Sequence, residues 1–253
     1  MVLRMSQQPR ENNDTALPLI IYRMRRVSQG WDQAADQRSI FLTCYTRMTA
    51  NMLAGIDRGE FEDSAWVDDL LHRFADYYFT ALTAYDDDPA TAPRVWQIAH
   101  KTCCEARVWA VQKLLLGVNA HINYDLALTL DEMLGPEWAA LTDAQRASRS
   151  RDYLRVNDVI GRTIDAVQDE VLAEAMPLLR TVDRLMGPGD ELILSRLLIR
   201  WRHHVWDYAV ELVEATDLEA REDVIRRMEE EALRRATAIR AADGPALFWE
   251  LFR

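Results

Sequence analysis

Apolar residues recur every three or four positions along most of the chain, which is the spacing of one face of an α-helix. Glycine–proline and aspartate–proline pairs interrupt the pattern and mark the breaks between helices. The pattern predicts a helix at about residues 33–56, one from 64 to the break at 86, and a long one at 94–134 that divides near Gly117. A short helix is predicted from 142, and further helices at 152–172, 192–213 and 218–242.

No run of alternating apolar and polar residues is long enough for a sheet. The chain has only nine glycines and eight prolines in 253 residues, which is few for an all-β protein rich in tight turns. The sequence therefore predicts an all-α, single-domain bundle of about seven helices around a buried central helix. Residues 1–16 are predicted to be a flexible N-terminal arm, and 17–253 the single helical domain.

The predicted central helix, residues 114–130, is apolar around its whole circumference, which is typical of a buried helix. Four polar residues are buried with it. At about 100° per residue, Asn119 and Asn123 share one face, while His121 and Asp125 share the opposite face. An unsatisfied buried polar group costs roughly 1–3 kcal/mol, so each of the four must find a partner.

Two interpretations of these pairs remain open. In the first, the Asp125 carboxylate orients the His121 imidazole, an arrangement that suits a general base or a metal ligand. In the second, the pairs only tie neighbouring helices together through hydrogen bonds.

Three further residues could reach the same cluster. Tyr45 lies on the apolar stripe of its helix, and Asn157 edges the stripe of another. Arg202 projects into an apolar sector, where a guanidinium needs a carboxylate or a bound anion unless its head reaches water. Asp125 and Asp165 are candidate partners for it. The predicted substrate-binding residues are therefore Asn119, Asn123, Asn157, Tyr45 and Arg202.

A magnesium site is a weaker alternative. Asn157, Gly161 and Asp165 are spaced four apart, which is similar to the magnesium-binding Asn-Asp-x-x-Ser-x-x-x-Glu motif of class I terpene synthases. Two of the three ligand positions depart from that motif. The aspartates at 86–88 could imitate the partner motif, but Pro89 follows them and favours a solvated loop.

The formal net charge of −11 argues against nucleic acid and against anionic membrane surfaces as partners. Three cysteines, two of them adjacent, make no disulfide framework. The first 17 residues lack the apolar core of a signal peptide, so we expect a cytoplasmic protein. The charged helix at 218–242 could form the seam of a homodimer. The sequence names no cofactor.

The run Leu-Leu-Gly-Val-Asn-Ala-His-Ile-Asn-Tyr-Asp-Leu at 115–126 resembles the hallmark of an uncharacterised, mainly bacterial, all-helical family of unknown function. Residues 74–79, Trp96, 156–159 and 164–168 are similar to that family as well, and the resemblance covers roughly 40–215. It supports the choice of helical segments and implies no activity.

The sequence as a whole favours an enzyme that acts on a small, largely apolar metabolite. His121 would be the general base or acid and Asp125 its orienting carboxylate. The first alternative is a non-catalytic helical carrier or scaffold, and the second is magnesium-dependent chemistry on an isoprenoid diphosphate.

Overall fold

The computed structural model describes residues 17–167 and 190–242, with side chains up to residue 163 and again from 195. The predicted arm at 1–16 and the predicted break at 187–188 lie outside these residues. The helices are α1 (Leu19–Gln33), α2 (Ser39–Asp57), α3 (Ser64–Asp87), α4 (Arg94–Cys103), α5 (Ala110–Ala120), α6 (Leu126–Leu134), α7 (Asp143–Val167), α8 (Asp190–Glu214) and α9 (Leu218–Ala241). The described part contains no strand, so the predicted all-α fold is confirmed.

One π-helical turn, His121–Asp125, joins α5 to α6, so that residues 110–134 form one continuous helix, here called the central helix. It packs against α2, α3, α4, α8 and α9. No residue between 111 and 131 is exposed. A helix surrounded in this way can bury side chains in every direction, which explains its apolar composition.

The predicted division near Gly117 is wrong. The chain breaks earlier, between α4 and α5, and Gly117 lies inside α5. A Cβ atom at this position would come within 2.6–2.9 Å of the Phe41 side chain on α2. The glycine therefore permits the close approach of α2 to the central helix rather than ending the helix.

The sequence pattern also missed α1 and placed the start of α2 six residues too early. Ala35, in the turn between the two helices, has a φ of 54°, which an α-helix does not permit. Asp36 then accepts a hydrogen bond from the backbone N–H of Arg38 at 3.0 Å and closes the turn. Helix α1 packs on α2, and its residues Ile20, Ile21 and Met24 are buried.

The helices predicted from 142 and at 152–172 are a single helix in the structure, α7. The polar run at 146–151 obscured its apolar period, because this run serves ion pairs on the surface. Arg149 pairs with Glu137, and Arg151 pairs with Glu62. A capping box begins α7, with the Thr142 N–H donating to Gln145 Oε1 at 2.9 Å.

Asp152 on α7 anchors the beginning of α3. Its two carboxylate oxygens accept from the backbone N–H groups of Glu62 and Asp63, both at 2.7 Å. These donors precede α3, at the end of the helix that favours a negative charge. In the described part of the chain, no helix combines the length and the apolar composition needed to cross a membrane.

Candidate functional site

A buried imidazole–carboxylate pair lies at the π turn of the central helix. His121 Nδ1 is 3.0 Å from Asp125 Oδ2, and the two residues are 3% and 1% exposed. Trp96 on α4, which is 1% exposed, donates its indole N–H to both Asp125 oxygens, at 3.1 and 3.0 Å. The carboxyl group therefore has partners on two sides, as a buried carboxyl group requires.

The π turn is the local feature that carries this pair. The N–H of Leu126 bonds the carbonyl oxygen of His121, five residues earlier. The Thr129 hydroxyl donates to the Asp125 carbonyl oxygen at 2.8 Å and so satisfies this backbone group as well. Single π turns inside α-helices occur frequently at functional sites.

Aromatic rings surround the imidazole. Phe74 on α3 stacks on His121 with ring centroids 3.6 Å apart and an interplanar angle of 6°. Tyr45 and Phe41 on α2 approach it edge-on, at 4.4 and 5.7 Å. These contacts fix the plane of the imidazole, and Asp125 fixes its rotation within that plane.

Burial sets the charge of the pair, because each charged form loses its hydration. It raises the pKa of Asp125 well above its ordinary value, an effect that the Trp96 hydrogen bond opposes. It lowers the pKa of His121 well below the ordinary value of an imidazole. The pair therefore carries a net charge of −1 or 0. The +1 state, in which an imidazolium lies beside a neutral carboxyl group, is disfavoured.

The other imidazole nitrogen, His121 Nε2, is buried and makes no hydrogen bond with any described residue. His121 also lines a cavity of about 210 Å³ between α2, α3, the central helix, α7 and α8. The cavity is partly open within the described part of the chain, and its lining is almost entirely apolar. His121 thus combines a buried nitrogen that bonds no described residue with a position beside a space of ligand size.

Two of the predicted binding residues, Tyr45 and Arg202, also line this cavity. The Tyr45 hydroxyl is buried without a hydrogen-bond partner among the described residues, and burial raises its pKa well above the ordinary value. It therefore remains a protonated donor. Arg202 on α8 is 4% exposed, so its head does not reach water.

Asn157 contacts Arg202 rather than the cavity, because its Oδ1 accepts from Arg202 Nε at 2.8 Å. Asn119 and Asn123 are on the other side of the central helix. Asn119 Nδ2 donates to the Ala232 carbonyl oxygen on α9 at 2.9 Å, and Asn123 Nδ2 donates to Asn119 Oδ1 at 3.0 Å. Asn119 thus ties the central helix to α9 while Asn123 holds the Asn119 amide, and neither is among the residues that line the cavity.

Two described residues of the magnesium alternative have other partners. Asp86 pairs with Arg38 at 2.6 Å, and the Asn157 oxygen is occupied by Arg202. The Asp165 side chain lies outside the described residues. In the ranges that the structure describes, no group of three His, Cys, Asp or Glu side chains is placed to hold a metal ion.

Sequence reasoning missed Trp96 and Phe74 as members of the site. A buried carboxylate requires donors, so the need for a residue such as Trp96 was predictable. Which helix would supply the donor was not, since that depends on how α3 and α4 pack. Phe74 was visible only as one of several apolar positions on its helix.

No curated protein and no solved structure is significantly similar to this chain. One family model matches residues 18–242, which is most of the chain, and its description is "Family of unknown function (DUF5995)". The predicted resemblance to an uncharacterised family is thereby confirmed. This all-helical chain, with its imidazole–carboxylate pair beside an apolar cavity, belongs to DUF5995, a family of unknown function.

Proposed function

We propose that the protein is an enzyme that binds a small, largely apolar molecule in the cavity and transfers a proton to or from it through His121 Nε2. The observation that carries the proposal is the asymmetry of the imidazole. Nδ1 is held by Asp125 at 3.0 Å, whereas Nε2 is buried, bonds no described residue and belongs to a residue that lines the cavity.

The charge of the pair explains why it is suited to accept a proton. In the −1 state, the proton on Nδ1 faces the carboxylate and Nε2 has a free electron pair. When Nε2 takes a proton from the substrate, the Nδ1 proton passes to Asp125 and the pair becomes neutral. Since the protonated pair carries no net charge, burial favours proton uptake. The reverse transfer makes the same group a general acid.

Tyr45 supports the same step. Its buried hydroxyl bonds no described residue, stays protonated, and belongs to a ring 4.4 Å from the imidazole. It is placed to donate a hydrogen bond to an oxygen that gains charge as the proton leaves. The apolar walls strengthen both interactions, because they lower the local dielectric constant.

The test uses 1,2-benzisoxazole, a neutral molecule of about the size that the cavity admits. A base removes its C3 proton, the N–O bond breaks with its electron pair going to oxygen, and 2-cyanophenolate forms, which absorbs in the near ultraviolet. The wild-type protein should open the ring faster than buffer alone. His121→Gln should lower that rate about 100-fold or more, the range that a positioned general base contributes.

Asp125→Asn should lower the rate as well, because an amide N–H facing Nδ1 places the imidazole proton on Nε2. His72→Gln on α3 is the matched control, since His72 is exposed, and should retain the wild-type rate. The variants must keep the wild-type circular dichroism. Equal rates for wild-type protein and His121→Gln, or a wild-type rate no higher than buffer, would contradict the proposal.

A carrier of small apolar molecules is the second candidate. It is favoured by the almost wholly apolar lining of the cavity. Cys44 is the only thiol on that lining within the described residues, and it is unreactive. Burial raises the pKa of Cys44 to about 11, so the thiol is not a nucleophile at neutral pH. Binding of toluene without any His121-dependent ring opening would identify the protein as a carrier.

A further inference from the structure

Arg202 is a buried cation whose described partners are all neutral. Its Nε donates to Asn157 Oδ1 at 2.8 Å, and its Nη2 donates to the Tyr153 carbonyl oxygen at 2.7 Å. The guanidinium carbon lies 4.2 Å from the centroid of the Tyr153 ring. The Tyr153 hydroxyl donates to the Arg202 carbonyl oxygen at 2.7 Å and so fixes the ring beside the guanidinium.

These contacts orient the guanidinium, but none of them balances its charge. No carboxylate of the described residues lies within 4.0 Å of an Arg202 nitrogen, in contrast to Arg149 and Arg221, which pair with Glu137 and Asp131. Burial of an unpaired charge costs several kcal/mol. Burial lowers the pKa of Arg202, but a guanidinium stays protonated in proteins. A fixed positive charge of this kind needs an anion.

The geometry of the cavity indicates where the anion binds. Arg202 lines the same cavity as His121, and no described residue accepts a hydrogen bond from its Nη1. His121 stays neutral, so Arg202 supplies the one positive charge on the described lining. One positive charge is balanced by one negative charge, which favours a carboxylate over a phosphate dianion. Carboxylate also matches the planar donor geometry of a guanidinium.

The volume limits the rest of the molecule. A cavity of about 150 Å³ lined by apolar side chains holds one benzene molecule. By proportion, the 210 Å³ here accommodates about eight non-hydrogen atoms. Its walls include Met48, Met52, Leu70 and Leu71, which suit a hydrocarbon chain or ring. Methionine side chains adapt their shape to either.

We infer that the ligand of this cavity is a small apolar monocarboxylic acid, with its carboxylate on Arg202 and its hydrocarbon part directed toward His121. This inference rests on the proposed function for the role of His121, and it names the class of substrate on which the proposed enzyme acts. Asn157 then acts as a positioning residue that holds the guanidinium toward the cavity. The ring or chain of the acid occupies the space between the two polar groups.

The test is a binding comparison by titration calorimetry, at constant ionic strength, with benzoate and hexanoate against their neutral amides, benzamide and hexanamide. Each acid and its amide have nearly the same shape, so the comparison isolates the charge. The wild-type protein should bind each acid at least tenfold more tightly than its amide. Arg202→Gln should bind the two alike, and Arg202→Lys should keep a reduced preference for the acid.

Arg200→Gln is the matched control, because Arg200 is an exposed arginine on the same helix, and should keep the wild-type preference. If Arg202→Gln does not fold, the comparison of acid with amide in the wild-type protein still tests the inference. Wild-type protein that binds the acids no more tightly than the amides, or that binds neither at millimolar concentration, overturns the inference.

The two proposals can fail separately. Benzisoxazole is uncharged, so its ring opening does not depend on an anion site. His121→Gln should keep the preference for the acids while it loses ring opening. Binding of acids without ring opening by the wild-type protein would leave the carboxylate site standing and remove the proton-transfer role.

Discussion

The hydrogen bond from Trp96 to Asp125 can be measured by comparing the same substitution at two buried tryptophans. Trp96→Phe removes an indole N–H that donates to both carboxylate oxygens, at 3.1 and 3.0 Å. Trp66→Phe removes an indole N–H that is buried and bonds no described residue. The two residues are 1% and 7% exposed, so both variants lose a similar part of a buried ring.

The difference between the variants therefore reports the hydrogen bond. A hydrogen bond to a charged group contributes about 1.5–3 kcal/mol to the free energy of unfolding. For a domain of this size, 1 kcal/mol corresponds to about 2–4 °C in melting temperature. We expect Trp96→Phe to melt about 3–12 °C below Trp66→Phe. The Arg149 guanidinium, 5.0 Å from the Trp66 ring centroid, can still stack on phenylalanine there.

The assay is urea unfolding followed by far-ultraviolet circular dichroism, supported by thermal melts. Circular dichroism is preferred to tryptophan fluorescence, because each substitution removes one of the eight tryptophans and so changes the fluorescence signal itself. The two variants should have the same urea dependence and different midpoints. Equal midpoints would show that Trp96 does not stabilise the Asp125 carboxyl group, and would refute the argument that this donor supports the buried pair.

Two further predictions concern acid stability and packing. Burial lowers the pKa of His100 to about 4, so the unfolded chain binds a proton below its ordinary pKa of about 6.5 and the folded protein does not. The free energy of unfolding therefore decreases as the pH falls through about 6.5 toward 4. Between pH 7.5 and pH 5, the wild-type protein should lose about 2 kcal/mol more of it than His100→Gln does. His72→Gln should follow the wild type, and equal losses in wild type and His100→Gln would contradict the prediction. Gly117→Ala should lower the free energy of unfolding by about 1–3 kcal/mol, because its methyl group would overlap the Phe41 ring. Gly161→Ala on α7, where a Cβ meets nothing within 4 Å, should be neutral or stabilising, and similar stability of the two variants in urea unfolding would show that Phe41 yields.

The helical fold and the burial of the central helix were predictable because they depend on local periodicity. The polar pairs were predictable for the same reason, since residues four apart on a helix share a face. The sequence correctly separated the His121 face from the Asn119 face. The structure then shows that only the His121 face borders the cavity, while Asn119 bonds the carbonyl oxygen of Ala232 on α9.

The remaining features depend on contacts between distant segments, which a single sequence does not encode in any local pattern. Trp96 reaches Asp125 only because α4 packs beside the π turn, and Arg202 borders the cavity only because α8 packs on α7. The predicted ends of some helices were wrong for a related reason. The turn at Ala35 depends on the backbone conformation of that residue, and the polar run at 146–151 forms ion pairs with other segments. The spacing of apolar residues indicates neither feature.

The most direct test of the account is the protonation of His121, read from the ring nitrogens in two-bond ¹H–¹⁵N correlation spectra of protein with ¹⁵N-labelled histidine. The signals of this residue are assigned by their loss in His121→Gln. We expect a neutral imidazole throughout pH 5.5–8, and a shift of the Nε2 signal when toluene enters the cavity. An imidazolium that forms near the ordinary histidine pKa of about 6.5, or an Nε2 signal that toluene leaves unchanged, would contradict it.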